Sequence, residues 1–176
     1  MYVKKVTKIK KVIERGARTV PPVGVWPDYC RTMLICVDSF QNRLAAGRIY
    51  NCCCSHARLF PSLDQMLFEI ESILDENGLV QRWNQPRTLL PSKPDEEAHP
   101  GRGFPALREP ALTPQQLQAI RGKVATVHVR IHSMQNASIQ GVFELLGNQG
   151  ARVYFRSALE LAHLVWETAE ILDGHR

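Results

Sequence analysis

Ser39-Phe40-Gln41-Asn42, followed by four residues and Gly47, is answered about 94 positions later by Ser133-Met134-Gln135-Asn136, four residues and Gly141. An apolar stretch follows each glycine. Thirteen or fourteen residues after the glycine an aromatic-x-Ser step, Phe60-Pro61-Ser62 or Phe155-Arg156-Ser157, opens a helical pattern. Repetition inside one chain speaks of architecture first. It predicts two strand-turn-strand-helix repeats related by a pseudo-two-fold, sharing an antiparallel sheet with packed helices: an α+β layer arrangement. Asn tolerates left-handed backbone and bonds its own turn, and Gly47 and Gly141 are expected to supply backbone freedom there.

Working outward, Met33-Leu34-Ile35-Cys36-Val37 is a short apolar run of strand type, Gln41 to Ala46 reads as a turn, and Gly47-Arg48-Ile49-Tyr50 as the returning strand. From Ser62, an expected N-cap, Leu63, Met66, Leu67, Ile70, Ile73 and Leu74 mark one helical stripe, and Gly78 is an expected stop. In the second half Val127, Val129 and Ile131 alternate with polar residues, as a half-buried strand does. Gly141 to Leu146 returns, Asn148-Gln149-Gly150 turns, and Ala151 to Phe155 offers a third strand. Ser157 is expected to cap a helix whose stripe holds Leu159, Ala162, Leu164, Val165, Trp166, Ala169 and Leu172. Thr113-Pro114-Gln115-Gln116 has the form of a capping box with proline in the first turn.

These readings divide the chain into a basic arm over 1–32, repeat one over 33–82, a linker with six prolines over 83–113, and repeat two over 114–176. At 176 residues neither repeat could bury more than a marginal core alone, so the two should lean on each other or on a second copy in a homodimer. Met33 could serve as an alternative start. Hydrophobic content of 44% and aromatics at 7% are globular values, and no apolar run nears the roughly 20 residues of a membrane span. The expectation is a soluble, cytoplasmic protein without a membrane partner. Five cysteines, three of them adjacent at Cys52, Cys53 and Cys54, make a poor disulfide framework and suit a reducing compartment.

The net charge of +5 is unevenly placed. Lys4, Lys5, Lys8, Lys10, Lys11, Arg15 and Arg18 against Glu14 give the first 18 residues +6 and leave −1 for the other 158. Val3, Val6, Ile9, Val12 and Ile13 fall at helical spacing with the lysines on the other face. Any nucleic-acid contact would therefore run through the arm, because the repeats carry no bulk attraction for phosphate.

Chemistry-bearing candidates are sparse. Gln41, Asn42, Gln135 and Asn136 are what the repeat keeps, and with Arg48, Ser138, Gln140 and Arg156 they form the candidate binding set. Cys52-Cys53-Cys54-Ser55-His56 holds zinc-ligand types without the usual pair of spaced pairs, so no metal is assigned. Ser39, Ser133 and His132 have no carboxylate placed to orient a base, and no glycine-rich phosphate loop follows a strand. No catalytic residue and no cofactor is expected.

The segment from Gln135-Asn136-Ala137-Ser138-Ile139-Gln140-Gly141 to Phe155-Arg156-Ser157-Ala158-Leu159-Glu160-Leu161 resembles a group of small bacterial proteins reading Gln-Asn-x-Ser-Trp-Gln-Gly, then Phe-Arg-Ser and a Leu-rich helix. Ile139 stands here in place of the Trp, and the resemblance implies no activity. Asn136-Ala137-Ser138-Ile139-Gln140-Gly141 also resembles the Asn-x-Ser-x-x-Gly segment of PilZ domains, which bind cyclic di-GMP. Arg121 and Arg130 lack the Arg-x3-Arg spacing of that family. The resulting expectation is a non-enzymatic bacterial binding or regulatory protein working through protein contacts. The alternatives are a nucleic-acid binder or inhibitor of nucleic-acid machinery using the arm, and a small-ligand or nucleotide module at the Gln-Asn turns.

Overall fold

The computed structural model describes residues 28–77, 110–134, 138–147 and 152–174. The basic arm, Gly78, most of the proline-rich segment, Gln135-Asn136 and the Asn148-Gln149-Gly150 turn lie outside the described residues. In chain order the elements are α1 (Asp28–Arg31), β1 (Thr32–Gln41), β2 (Leu44–Asn51), β3 (Arg58–Phe60), α2 (Leu63–Glu76), α3 (Pro114–Ala119), β4 (Ala125–Ser133), β5 (Gln140–Leu145), β6 (Arg152–Phe155) and α4 (Ala158–Asp173).

The strands form one open antiparallel sheet in the order β3-β2-β1-β4-β5-β6, so the fold class is α+β as the sequence predicts. β1 lies at the centre of the sheet between β2 and β4, and its apolar run Met33 to Val37 is buried on both faces. Met33, Ile35, Val37, Ile49, Val127, Val129, Ile131 and Phe143 face the two long helices and join one core with Met66, Ile70, Ile73, Leu161, Val165 and Ala169. Among the described residues no helix is long and apolar enough to cross a membrane.

Three expectations change. The first turn is two residues, Asn42 and Arg43, with φ of 50° and 65°, and Gln41 faces Leu44 in register. Positive φ at both positions matches the twist of a tight hairpin, which is why β2 begins at Leu44 rather than Gly47. A third strand, Arg58–Phe60, also stands between β2 and α2, too short for periodicity to reveal. Finally, Gly47 and Gly141 sit inside strands and supply room instead of backbone freedom. A Cβ on Gly47 would lie 1.9 Å from the Cys36 carbonyl oxygen and 3.0 Å from the Phe60 ring; on Gly141 it would lie 2.1 Å from the Arg130 carbonyl oxygen and 3.0 Å from the Phe155 ring.

Beside each glycine the partner strand bulges. The register slips between Val37 and Ser39 on β1, and between Ile131 and Ser133 on β4, leaving Asp38 and His132 as the extra residues. A bulge turns the extra side chain off the regular alternation. Asp38 uses this freedom to receive two bonds from Arg48, Nε to Oδ2 at 2.7 Å and Nη2 to Oδ1 at 2.9 Å, while Arg48 Nη1 donates to Tyr50 at 2.7 Å. The Lys123 N–H adds a 3.3 Å bond to Asp38, tying the lead-in of β4 to the end of β1.

All three helix starts fall where the sequence puts them, two of them with a capping side-chain bond. Thr113 and Gln116 complete the reciprocal capping box, with bonds of 3.2 and 2.8 Å. Ser157 accepts the Glu160 N–H at 3.1 Å. Ser62 occupies the N-cap of α2 without a side-chain bond to the helix backbone.

Candidate functional site

Of the six described members of the sequence-derived binding set, Asn42, Arg48, Ser138 and Gln140 are engaged in holding the fold. Asn42 provides left-handed backbone at the hairpin tip beside exposed Gln41. That tip is seated on α4: Trp166 Nε1 donates to the Arg43 carbonyl at 3.2 Å, and the Arg43 guanidinium lies 4.9 Å from the Trp166 ring centre. Phe40 meets the same ring edge-on at 6.0 Å. Arg48 is held by Asp38 and Tyr50, as described. The Ser138 hydroxyl accepts the Ala158 N–H at 3.2 Å and so serves the start of α4, and Gln140 accepts from Ser133 at 3.2 Å. Gln135 and Asn136 lie outside the described residues, as do the arm residues from Lys4 to Arg18.

Arg156 differs from these. Its side chain is 87% exposed and lines a groove of about 710 Å³ between edge strand β6 and the first turns of α4, with Val153, Tyr154, Ser157, Leu159 and His163. Among the described residues β6 pairs with β5 alone, so its other edge carries backbone donors and acceptors with no described strand beside them. Tyr154 is 68% and Leu159 78% exposed. The sequence stripe had placed Leu159 in the buried face. With α4 starting at Ala158, a period of 3.6 turns Leu161, Val165 and Ala169 to the sheet, while Leu159 points about 120° away from the centre of that face. Arg152 and Arg156 bracket β6, and the Glu160 carboxylate is folded back onto the Arg156 N–H at 2.6 Å.

The cysteine passage forms a different neighbourhood. Cys52, Cys53 and Cys54 are all buried in the turn after β2, and Cys30 on α1 packs against them. The sulfurs of Cys30 and Cys53 are 3.5 Å apart. Two buried amides organise the backbone around them. Asn51 Nδ2 donates to the carbonyls of Tyr29, Cys30 and Thr32 at 3.2, 3.1 and 2.9 Å, while Asn51 Oδ1 accepts from the Cys53 N–H at 2.9 Å. Asn77, the C-cap of α2, donates to the Cys30 carbonyl at 3.0 Å and to Asn51 Oδ1 at 3.2 Å. Burial pushes the thiols of Cys52 and Cys54 upward and that of Cys36 to about 11. Among the described residues no group of three or more His, Cys, Asp or Glu side chains is placed to hold a metal.

Sequence reasoning missed Trp166 as a clamp, the Asn51–Asn77 pair and the groove itself. Asn51 and Asn77 are 26 positions apart and meet only through the return of α2, whereas the exposure of Leu159 was open to finding from the cap at Ser157. No protein-family model, curated protein or solved structure matches this chain.

Proposed function

We propose that this is a non-enzymatic protein-binding module whose β6–α4 groove takes an extended segment of a partner protein as an added strand. The observation that carries the reading is the open edge of β6 set beside exposed Tyr154 and Leu159. Main-chain bonds to such an edge give affinity, and alternate side chains entering a neighbouring groove give selectivity. Arg156 in the groove and Arg152 at the far end of β6 favour an apolar segment with acidic flanks, whose carboxylate would compete with Glu160 for the Arg156 guanidinium, an exposed pair at 3.5 Å. The polar groups elsewhere support a binding role over a catalytic one, because Asp38, Arg48, Ser138 and Gln140 are spent on internal bonds.

Selection from a displayed library of random dodecapeptides tests this. The full chain should enrich sequences with alternating apolar residues and acidic flanks, and a Tyr154→Asp, Leu159→Asp double variant should not. Equal enrichment by both proteins, or concentration-dependent self-association through the same groove, would remove the foreign-segment reading.

A further inference from the structure

The groove leaves the cysteine neighbourhood unexplained, and that neighbourhood is built with more care than packing requires. Cys30 and Cys53 are 2% and 7% exposed, with sulfurs 3.5 Å apart. Their backbones are fixed from both sides: the Cys30 carbonyl accepts from Asn51 and Asn77, and the Cys53 N–H donates to Asn51. A disulfide needs its sulfurs about 2.05 Å apart, so side-chain rotation must close the remaining distance while the amides hold the main chain. We propose that Cys30 and Cys53 form a peroxide-reactive dithiol site that closes to a reversible disulfide linking α1 to the turn after β2.

The step balances with hydrogen peroxide as the oxidant. The Cys30 thiolate attacks one peroxide oxygen; the S–O bond forms as the O–O bond breaks, and the departing hydroxide takes a proton and leaves as water. Cys53 sulfur then attacks the Cys30 sulfenic sulfur. The S–S bond forms, the S–O bond breaks, and the second oxygen leaves as water with the Cys53 proton. Two thiols lose two electrons, and one peroxide becomes two waters. Cys30 is the first nucleophile because the Cys53 hydrogen bond, with help from the Arg31 charge, lowers its thiol despite burial. Cys52 and Cys54 are shifted the other way by burial and remain bystanders.

The cross-link would enclose the β1–β2 hairpin and restrict the unfolded chain, which predicts a melting temperature about 5 °C higher or more after oxidation. The test treats the full chain with peroxide, blocks remaining thiols with iodoacetamide under denaturing conditions, and maps peptides by mass spectrometry. The expected product is one linked pair, Cys30 with Cys53, reversed by dithiothreitol, still formed in Cys52→Ser and raising the melting temperature. Recovery of Cys30 and Cys53 both alkylated after peroxide treatment, or linkage of either to Cys52 or Cys54 instead, overturns the assignment. Mapping the unaltered chain gives this result without relying on a variant to fold.

Discussion

The passage from β1 to α2 and the passage from β4 to α4 use the same local device and turn it to different ends. In each, a bulged strand faces a glycine that a phenylalanine from the next strand covers: Gly47 under Phe60, Gly141 under Phe155. In the first passage the bulged residue, Asp38, is locked by Arg48, the hairpin tip is held by Trp166, and edge strand β3 has its Arg58 tied to Glu76 at 2.5 Å. In the second passage the bulged residue, His132, is exposed, and edge strand β6 has no outer partner among the described residues and lies beside exposed apolar side chains. The difference teaches that the backbone device carries no function of its own. What differs is the side chains around it, with inward pairing in one passage and outward display in the other, and the proposed binding surface lies on the displaying side.

If the glycine junctions are equivalent, Gly47→Ala and Gly141→Ala should each cost about 3 kcal/mol or more, because the added carbon meets backbone rather than a movable side chain. Urea unfolding of the two variants measures this, and tolerance of either one would mean that the junctions differ. Next comes Asn51→Ala, expected to cost about 3 kcal/mol by stranding buried carbonyls and an N–H. A chain started at Met33 should be weakened at least as much, since Tyr29, Cys30 and Thr32 supply those carbonyls, whereas one started at residue 28 keeps them. Thermal melts of the two truncations separate the cases.

Asp38→Asn should cost about 1 kcal/mol at neutral pH, as a bidentate pair becomes a neutral one. Arg48 holds the Asp38 carboxyl below its ordinary range. The stabilisation is therefore complete above the unfolded value of about 3.9 and fades as pH falls through the lowered folded value. The gap between wild type and variant should hold from pH 7 to 5 and shrink below about pH 4 in denaturant titrations. The smallest effect on stability, within about 0.5 kcal/mol, is expected for Leu159→Asp, which lies outside the core. Its effect should appear in peptide binding alone.

How much of this the sequence disclosed follows from the range of each interaction. The alternation of Val127, Val129 and Ile131 and the Thr113–Gln116 box are local patterns, and both elements stand where the pattern put them. The hairpin was misjudged by three residues because Asn42 and Arg43 take positive φ without a glycine, a conformation that the Trp166 bond and the Arg43 stacking support from 123 positions away. Of the described candidate binding residues only Arg156 lines the groove, because the polar side chains of Arg48, Ser138 and Gln140 are claimed by partners that no spacing rule displays.

The most direct measurement is an amide-resolved NMR titration of the full chain with a peptide taken from the library selection, followed by hydrogen exchange of the complex. Binding at the β6 edge predicts shifts confined to residues 152–164 and slowed exchange at alternate amides of β6. Shifts centred on the Asn42 hairpin or the cysteine turn, with β6 exchange unchanged, would contradict it.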